Sequence, residues 1–170
     1  MEILKSWQVY LKSGGTEYKL VFAGSGNGGY AKKVACRVKD LRLEDSVIFL
    51  GNVPYDDLSC LYQNARINVF ASSCENCPNI LIEAMNAGRP VFCSDIPPMP
   101  EIGDGAPLYF DPYEPMQLTE LLRKYIDDEP VMAELGKKAM LRGTTFDWDR
   151  SVKKLHSVFE ELTKKTKTPS

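Results

Sequence analysis

The sequence predicts an α/β protein with a doubly wound, mainly parallel sheet flanked by helices. Short apolar segments alternate along the chain with longer segments in which apolar residues recur every three or four positions. The first kind is typical of strands buried on both faces, and the second of helices packed on a sheet. The order is clearest between Arg66 and Ser94, where an apolar strand, a polar turn, a helix and a second apolar strand form one βαβ unit.

Five elements are predicted before this unit. Helices are expected over 1–12, 30–41 and 56–65, and strands over 19–24 and 47–51. The glycine-rich segment 24–29 joins the first strand to the second helix. Its glycines suit either a tight turn or the close approach of a ligand, and the sequence leaves both open. No acidic residue ends the next strand, so the dinucleotide-binding fingerprint is incomplete.

The helix of the central unit is bounded by Pro78 and Gly88. Proline suits the first turn of a helix, where its missing N–H costs nothing, and glycine suits the residue after the last turn. Two faces follow from the helical period: an apolar one with Ile80, Leu81, Ala84 and Met85, and a polar one with Asn79, Glu83 and Asn86.

The remaining elements complete one domain over residues 1–163. We expect a connection broken by prolines at 97–100, a strand over 107–110, helices over 114–127 and 130–142, and a final helix after Trp148. The polar segment 164–170 is predicted to be a disordered tail. A chain of 170 residues is long enough to bury a substantial core.

The charge balance excludes several classes of protein. A net charge of −2 gives no basic surface for nucleic acid, so no nucleic-acid partner is expected. No apolar run is long enough to span a membrane, and residues 1–12 lack the apolar core of a signal peptide. We therefore expect a cytoplasmic protein.

The five cysteines do not suggest a disulfide framework, because their number is odd and their spacing irregular. Cys74 and Cys77 form a C-x-x-C pair. A single pair without histidine partners is weak evidence for zinc, and no metal site is predicted. A redox role for this pair remains an alternative, because a helix N-terminus lowers the pKa of a thiol.

The start of the central helix is a candidate ligand site. It follows the carboxyl end of a strand, where ligands bind in open α/β sheets, and the free N–H groups of a helix start favour an anion. Glu83, one turn further on, is placed to accept hydrogen bonds from ligand hydroxyls. The alternative is that this polar stripe is only the solvated face of the helix.

The segment E-N-C-P-N-I-L-I-E-A-M-N-A-G-R-P-V, which starts at Glu75, resembles the E-x7-E motif of the "glycosyl transferases group 1" family. Members of this family are retaining enzymes of the GT-B fold, built from two Rossmann-like domains. The family motif continues with S-D and E-I pairs, which Ser94-Asp95 and Glu101-Ile102 match. Phe146-Asp147-Trp148 resembles the family's C-terminal F-x-W. The resemblance covers only the second, donor-binding domain.

The resemblance implies a nucleoside-diphosphate sugar as substrate, with no metal or other cofactor. Glu75 would be the catalytic residue, which contacts the donor sugar and stabilises positive charge at its anomeric carbon. Glu83 would bind the ribose hydroxyls. The main chain of five residues would hold the sugar and diphosphate: Asn76, Cys77, Pro78, Asn79 and Ile80. Two loops would line the cleft, with Gly24, Ser25 and Gly26 in one and Asn52 and Val53 in the other.

Two departures from the family pattern matter. Asn76 replaces the usual glycine after the first glutamate, which points to a different donor sugar. The family domain also opens with a strand, central in the sheet, and a segment whose Arg and Lys hold the diphosphate; the chain begins inside the helix that follows.

Residues 1–170 are therefore expected to be part of a longer protein, inactive without an acceptor-binding domain in cis or in trans, with the full-length enzyme peripheral at a membrane. The exposed edges of the gap suggest self-association. A non-catalytic nucleotide-binding module working with a partner subunit is the alternative.

Overall fold

A computed structural model describes residues 1–15 and 18–165, which form eight helices and five strands. Strands and helices alternate as far as β5, as predicted. In chain order the elements are α1 (Glu2–Lys12), β1 (Leu20–Ala23), α2 (Gly29–Asp40), β2 (Val47–Gly51), α3 (Tyr55–Asn64), β3 (Asn68–Phe70), α4 (Asn79–Asn86), β4 (Val91–Ser94), α5 (Met99–Gly103), β5 (Leu108–Phe110), α6 (Pro115–Tyr125), α7 (Glu129–Gly143) and α8 (Trp148–Lys165).

All strand pairs of the described residues are parallel, but they form two sheets instead of one. β1 pairs with β2, and β3, β4 and β5 pair in that order. β1 and β3 therefore each have one edge that no described strand occupies. The described strands therefore do not form the single doubly wound sheet that the sequence predicts.

Two layers of helices enclose the sheets. On one side α1 packs against α6, and on the other α4 packs against α7. β4 separates the two cores because its side chains alternate: Phe92 belongs to the first core, with Leu4 and Leu118, and Cys93 belongs to the second, with Met85. All four residues of β4 are buried, as the apolar sequence predicted.

The boundaries of α4 confirm the reading of its flanking residues. Pro78 is the N-cap, and Gly88 follows the C-cap residue Ala87 with a φ of 71°, a left-handed conformation that glycine adopts without strain. The predicted apolar face is wrong at one position, since Ile80 is 55% exposed whereas Leu81 and Met85 are fully buried. Ile80 lies on the first turn, where α7 does not cover the helix.

Two other elements, α5 and α8, differ from the prediction. The proline-rich connection contains α5, which forms because Pro100 stands in its first turn, where no N–H is needed. α8 runs to Lys165 and so includes the first two residues of the predicted tail; residues 166–170 lie outside the described part of the chain. The apolar residues of α8 are exposed, with Trp148 at 80%.

Candidate functional site

The loops that follow β1 and β2 are joined at the carboxyl edge of their sheet. The N–H of Gly24 donates to the carbonyl of Gly51 over 2.8 Å. Both glycines have positive φ, 139° and 69°. Residues with a side chain rarely adopt this conformation, so the contact depends on glycine at both positions. The hydrogen bond brings the predicted loop of Gly24, Ser25 and Gly26 beside the loop of Asn52 and Val53.

The loop that carries Glu75 follows β3 and is anchored to the neighbouring strand. The buried hydroxyl of Ser94, at the end of β4, donates to the carbonyl of Ser72 over 2.6 Å. The hydroxyl of Ser72 donates in turn to the carbonyl of Cys74 over 3.2 Å. Glu75 itself is half-buried. The start of this loop is therefore fixed to the sheet, and its carboxylate remains accessible to a ligand.

The start of α4 offers fewer free N–H groups than the sequence suggested. The N–H of Asn79 donates to the carbonyl of Cys77 over 2.9 Å, and the N–H of Leu81 donates to that of Pro78 over 3.0 Å. Pro78 itself is buried and has no N–H. Two of the N–H groups that could bind an anion at this helix start therefore already have acceptors within the protein.

Glu83 lies two residues beyond Leu81 and faces α3. The hydroxyl of Tyr62, on α3, donates to the Glu83 carboxylate over 3.5 Å. Burial raises the pKa of Tyr62, and the negative charge of Glu83 raises it further. Tyr62 therefore keeps its proton and can act as a donor throughout the physiological pH range.

Glu83 forms one wall of a cavity of about 410 Å³ between α3 and α4. Tyr55 stands at its edge, 74% exposed, and follows the Asn52 and Val53 loop by two residues. The volume is within the range of small-molecule sites. The lining is polar and aromatic rather than basic: Tyr55, Asp56, Leu58, Ser59, Tyr62, Gln63, Glu83, Asn86 and Ala87.

The predicted site residues are only partly brought together. Glu83 lines the cavity described above together with Tyr55 and Asp56, which follow the predicted loop of Asn52 and Val53. Glu75 does not line it, and two other residues of its loop, Ala71 and Ser73, line a second cavity of about 300 Å³ beside Met1. Tyr55 and Tyr62 are not among the residues that the sequence predicted for the site. Their spacing of seven residues, which places both on one face of α3, was the available signal.

The cysteines of the C-x-x-C pair are exposed and free, and the thiol of Cys77 donates to the Asn79 amide oxygen over 3.6 Å. Burial raises the pKa of the Cys93 thiol to about 12.

Over residues 1–15 and 18–165, no three His, Cys, Asp or Glu side chains converge as a metal site would require. No helix in the same ranges is long and apolar enough to cross a membrane.

Known sequences match most of this chain. The family model for glycosyl transferases group 1 matches residues 2–142. The O-antigen chain mannosyltransferase B of Escherichia coli is 26% identical over 148 residues, which are 86% of this chain and 38% of that protein. The D-inositol 3-phosphate glycosyltransferase of Corynebacterium jeikeium is 28% identical over 141 residues, 81% of this chain and 34% of that protein. The chain thus spans little more than a third of these relatives.

Solved structures of GT-B glycosyltransferases have the same fold. The sucrose-phosphate synthase of Thermosynechococcus elongatus superposes with a TM-score of 0.83 at 20% identity, over 95% of this chain and 42% of that one. The C-terminal domain of a glycosyl transferase group 1 protein from Francisella tularensis superposes with a TM-score of 0.71 at 23% identity, over 85% of this chain and 76% of that one. From the fold and the family match together, the chain belongs to the glycosyl transferases group 1 family.

Proposed function

We propose that residues 1–170 form the donor-binding domain of a retaining glycosyltransferase that takes a sugar from a nucleoside-diphosphate sugar. The acceptor would be a glycan or a lipid-linked sugar. The observation that carries this proposal is the setting of Glu83, whose half-buried carboxylate forms a wall of a cavity that adjoins the loop after β2. A carboxylate held by one neighbour still has lone pairs for two ligand hydroxyls.

The ribose is the part of the donor that suits this cavity. Asp56 and Glu83 both line it and no lysine or arginine does, so a diphosphate would be repelled there. A neutral nucleoside would bind with its ribose hydroxyls donating to Glu83. The base would lie toward Tyr55 and the main chain of Asn52 and Val53, where an exposed aromatic ring offers a stacking surface.

Glu75 would act on the other end of the donor. In sugar transfer the bond between the anomeric carbon and the phosphate oxygen breaks, and its electron pair leaves with the diphosphate. The acceptor hydroxyl oxygen forms the new bond to the anomeric carbon, and its proton would pass to the leaving diphosphate oxygen. A carboxylate held near the anomeric carbon stabilises the positive charge that develops there. The main chain of Asn76 through Ile80 would position the sugar, and transfer would need no metal.

Transfer would also need a second domain that binds the acceptor. The relatives are more than twice as long as the segments that they share with this chain. We propose that this domain is supplied in cis or in trans, and that residues 1–170 bind the donor but transfer sugar slowly or not at all without it. The complete enzyme would work in the cytoplasm, peripherally at the membrane where the acceptor is lipid-linked.

Calorimetric titration with UDP-, GDP- and ADP-sugars tests donor binding directly. One of the three should bind, and Glu83→Gln should weaken that binding by about 1.5–3 kcal/mol, the size of a charge-assisted hydrogen bond. Glu120→Gln on the exposed face of α6 is the matched control and should leave the affinity unchanged. Equal binding by wild type and Glu83→Gln would contradict the assignment of Glu83.

A non-catalytic module working with a partner subunit is the second candidate. It is favoured by the break between the two sheets, because the described residues alone do not complete the doubly wound sheet. This candidate predicts donor binding with the same dependence on Glu83. It differs from the first in that Glu75→Gln would leave the activity of the complete assembly unchanged, whereas a catalytic Glu75 requires a large loss in kcat.

A further inference from the structure

The cavity between α3 and α4 is lined along two turns of α3. At one level the Tyr62 hydroxyl donates to the Glu83 carboxylate over 3.5 Å. Tyr55 and Asp56, in the first turn of the same helix, line the cavity at another level. Asp56 precedes Tyr62 by six residues, so the rise of the helix separates the two levels by about 9 Å. A purine nucleoside has a similar length from its ribose hydroxyls to the far edge of its base.

The base of a nucleotide would meet the first turn of α3. Under the proposed function Glu83 binds the ribose hydroxyls, and the base then extends towards Tyr55 and Asp56. Tyr55 is 74% exposed, so its ring offers a face on which a base can stack. Stacking does not distinguish the bases, because every base has a π face. Selection among the bases must therefore come from polar groups that meet the edge of the base.

Asp56 differs from the neutral polar groups of the cavity. Ser59, Gln63 and Asn86 carry hydroxyl or amide groups, which can both donate and accept hydrogen bonds. The carboxylate of Asp56 only accepts them. Asp56 is exposed, and none of the ion pairs between the described residues involves it. Its two oxygens can therefore accept a pair of donors from a ligand.

Guanine is the base whose edge matches a carboxylate. Its ring N1–H and its 2-amino group are adjacent donors, and a carboxylate can accept both at once, as it does from arginine. Adenine and cytosine each present an amino group beside a ring nitrogen that is an acceptor. In uracil the N3–H lies between two carbonyl oxygens. A carboxylate repels these acceptors because they carry partial negative charge.

We propose that Asp56 selects guanine, so that the donor of this domain is a GDP-sugar. The inference rests on the proposed function, since it takes the ribose to lie at Glu83. The N1–H and the 2-amino group of guanine donate to the two carboxylate oxygens of Asp56, while the ring of Tyr55 stacks on the base. Glu83 contributes to the affinity for every nucleotide, and Asp56 decides between the bases.

Calorimetric titration of the chain with GDP, UDP, ADP and IDP tests this selection. GDP should bind on the order of tenfold or more tighter than UDP or ADP, because only guanine makes two charge-assisted hydrogen bonds to Asp56. The base of IDP keeps the N1–H of guanine but lacks the 2-amino group, so IDP should bind about tenfold more weakly than GDP. A preference for UDP or ADP would overturn the inference.

Asp56→Asn replaces one accepting oxygen by an N–H donor and keeps the size of the side chain. The affinity for GDP should fall on the order of tenfold or more, and GDP and IDP should then bind almost equally. The affinity for UDP should rise, because an amide can pair with both the N3–H and a carbonyl of uracil. If Asp56 were only structural, all four affinities would change together and the ratio of GDP to IDP affinity would stay as in the wild type.

Asp57→Asn is the matched control. Asp57 is the next residue in the same first turn of α3 and is also exposed, but it does not line the cavity. Both carboxylates interact with the positive end of the helix dipole, so this variant loses the same kind of charge. The affinity for GDP and the ratio of GDP to IDP affinity should not change. An effect equal to that of Asp56→Asn would assign the selectivity to charge at the helix start and overturn the role of Asp56.

The proposed function and the role of Asp56 fail in different ways. Glu83→Gln should weaken the binding of GDP, UDP and ADP by a similar factor. Binding that depends on Glu83 but shows no preference for GDP, or a preference that survives Asp56→Asn, contradicts only the role of Asp56. No binding of any of the four nucleotides would contradict the proposed function, and the selection of guanine with it.

Discussion

The hydroxyl of Ser94 donates a 2.6 Å hydrogen bond to the carbonyl of Ser72, and through it the end of β4 holds the first turn of the Glu75 loop. Ser94 is fully buried, so the carbonyl would lose its partner in the Ser94→Ala variant. We expect a loss of about 1–2 kcal/mol in the free energy of unfolding. Donor affinity, measured by calorimetry, should also fall because the loop is no longer fixed.

Thr119→Val provides the matched control for that experiment. Thr119 is a buried hydroxyl on α6 that donates to the carbonyls of Ser6 and Pro115, at 3.1 and 3.0 Å. The variant should lose a similar amount of stability and keep its donor affinity. If both variants lose affinity in proportion to stability, the contact between Ser94 and Ser72 has no specific effect on the loop.

Tyr62→Phe tests whether the phenol positions the Glu83 carboxylate. Removing the hydroxyl deletes one neutral hydrogen bond, so donor affinity should fall by about 0.5–1.5 kcal/mol. In the Glu83→Gln background the same change should have a smaller effect, because the two residues act through one contact. Calorimetry on the wild type, the two single variants and the double variant measures the coupling energy between Tyr62 and Glu83. Purely additive losses would mean that Tyr62 acts only by packing.

Gly136→Ala tests the contact between α7 and the turn after α4. A Cβ on Gly136 would meet the carbonyl oxygen of Gly88, so the backbone of that turn would have to move. Gly88 ends α4 with a left-handed φ of 71°, so a shift of its carbonyl would disturb the end of that helix. Chemical denaturation should show a loss of about 1–3 kcal/mol or more, as for overpacked cores.

Gly29→Ala is the control for this substitution. Gly29 is the first residue of α2, and a Cβ there meets nothing within 4 Å. The helix propensity of alanine should stabilise this variant by about 0.5–1 kcal/mol. A loss of stability in both variants would indicate a general effect of removing glycine.

Stability should fall above pH 9 because of Cys93. Burial raises the pKa of this thiol from 9.0 in the unfolded chain to about 12 in the folded one. Since the folded pKa is the higher one, the contribution is fully present below pH 9 and is lost as the pH rises toward 12. The free energy of unfolding should decrease by about 1.4 kcal/mol per pH unit in this window.

Urea unfolding between pH 9 and pH 11 measures that slope, with Cys93→Ala for comparison. The alanine variant starts from a lower stability because it leaves a small cavity, so the slope is the quantity to compare. The slope from Cys93 should be absent in the variant. Tyr62 also has a raised pKa, which affects both proteins equally, whereas the pKa of Tyr109 is raised by burial and in part by Cys93, and that part is removed with the thiol. Identical slopes would show that Cys93 is not protected in the folded state.

The parts of the fold that were predictable depend on local signals. Pro78 and Gly88 mark the ends of α4 through their backbone restrictions, and the three apolar residues Val91, Phe92 and Cys93 of β4 indicate a strand buried on both faces. The prolines of 97–100 predict a break and no helix, but Pro100 stands in the first turn of α5, where proline is tolerated.

Other features depend on contacts between distant residues. Strand pairing depends on which edges meet, so the division into two sheets could be anticipated only from the comparison with the family pattern. The approach of Tyr62 to Glu83 joins residues 21 positions apart and results from the packing of α3 on α4. The 55% exposure of Ile80 likewise depends on where α7 lies, which helical periodicity does not specify.

The division of the strands into two sheets has a consequence for cooperativity. No strand-to-strand hydrogen bond of the described residues crosses from β1 and β2 to β3, β4 and β5. The contacts described between the two sheets and their helices are side-chain packing in one core and single side-chain hydrogen bonds, such as that from the Tyr18 hydroxyl to the Asp127 carboxylate over 3.2 Å. Units joined in this way open separately, and the denaturant dependence of unfolding is then shallower than for one cooperative domain. A donor that contacts both the loop after β2 and Glu83 on α4 would join the two units. Its binding should therefore steepen the unfolding transition as well as shift its midpoint.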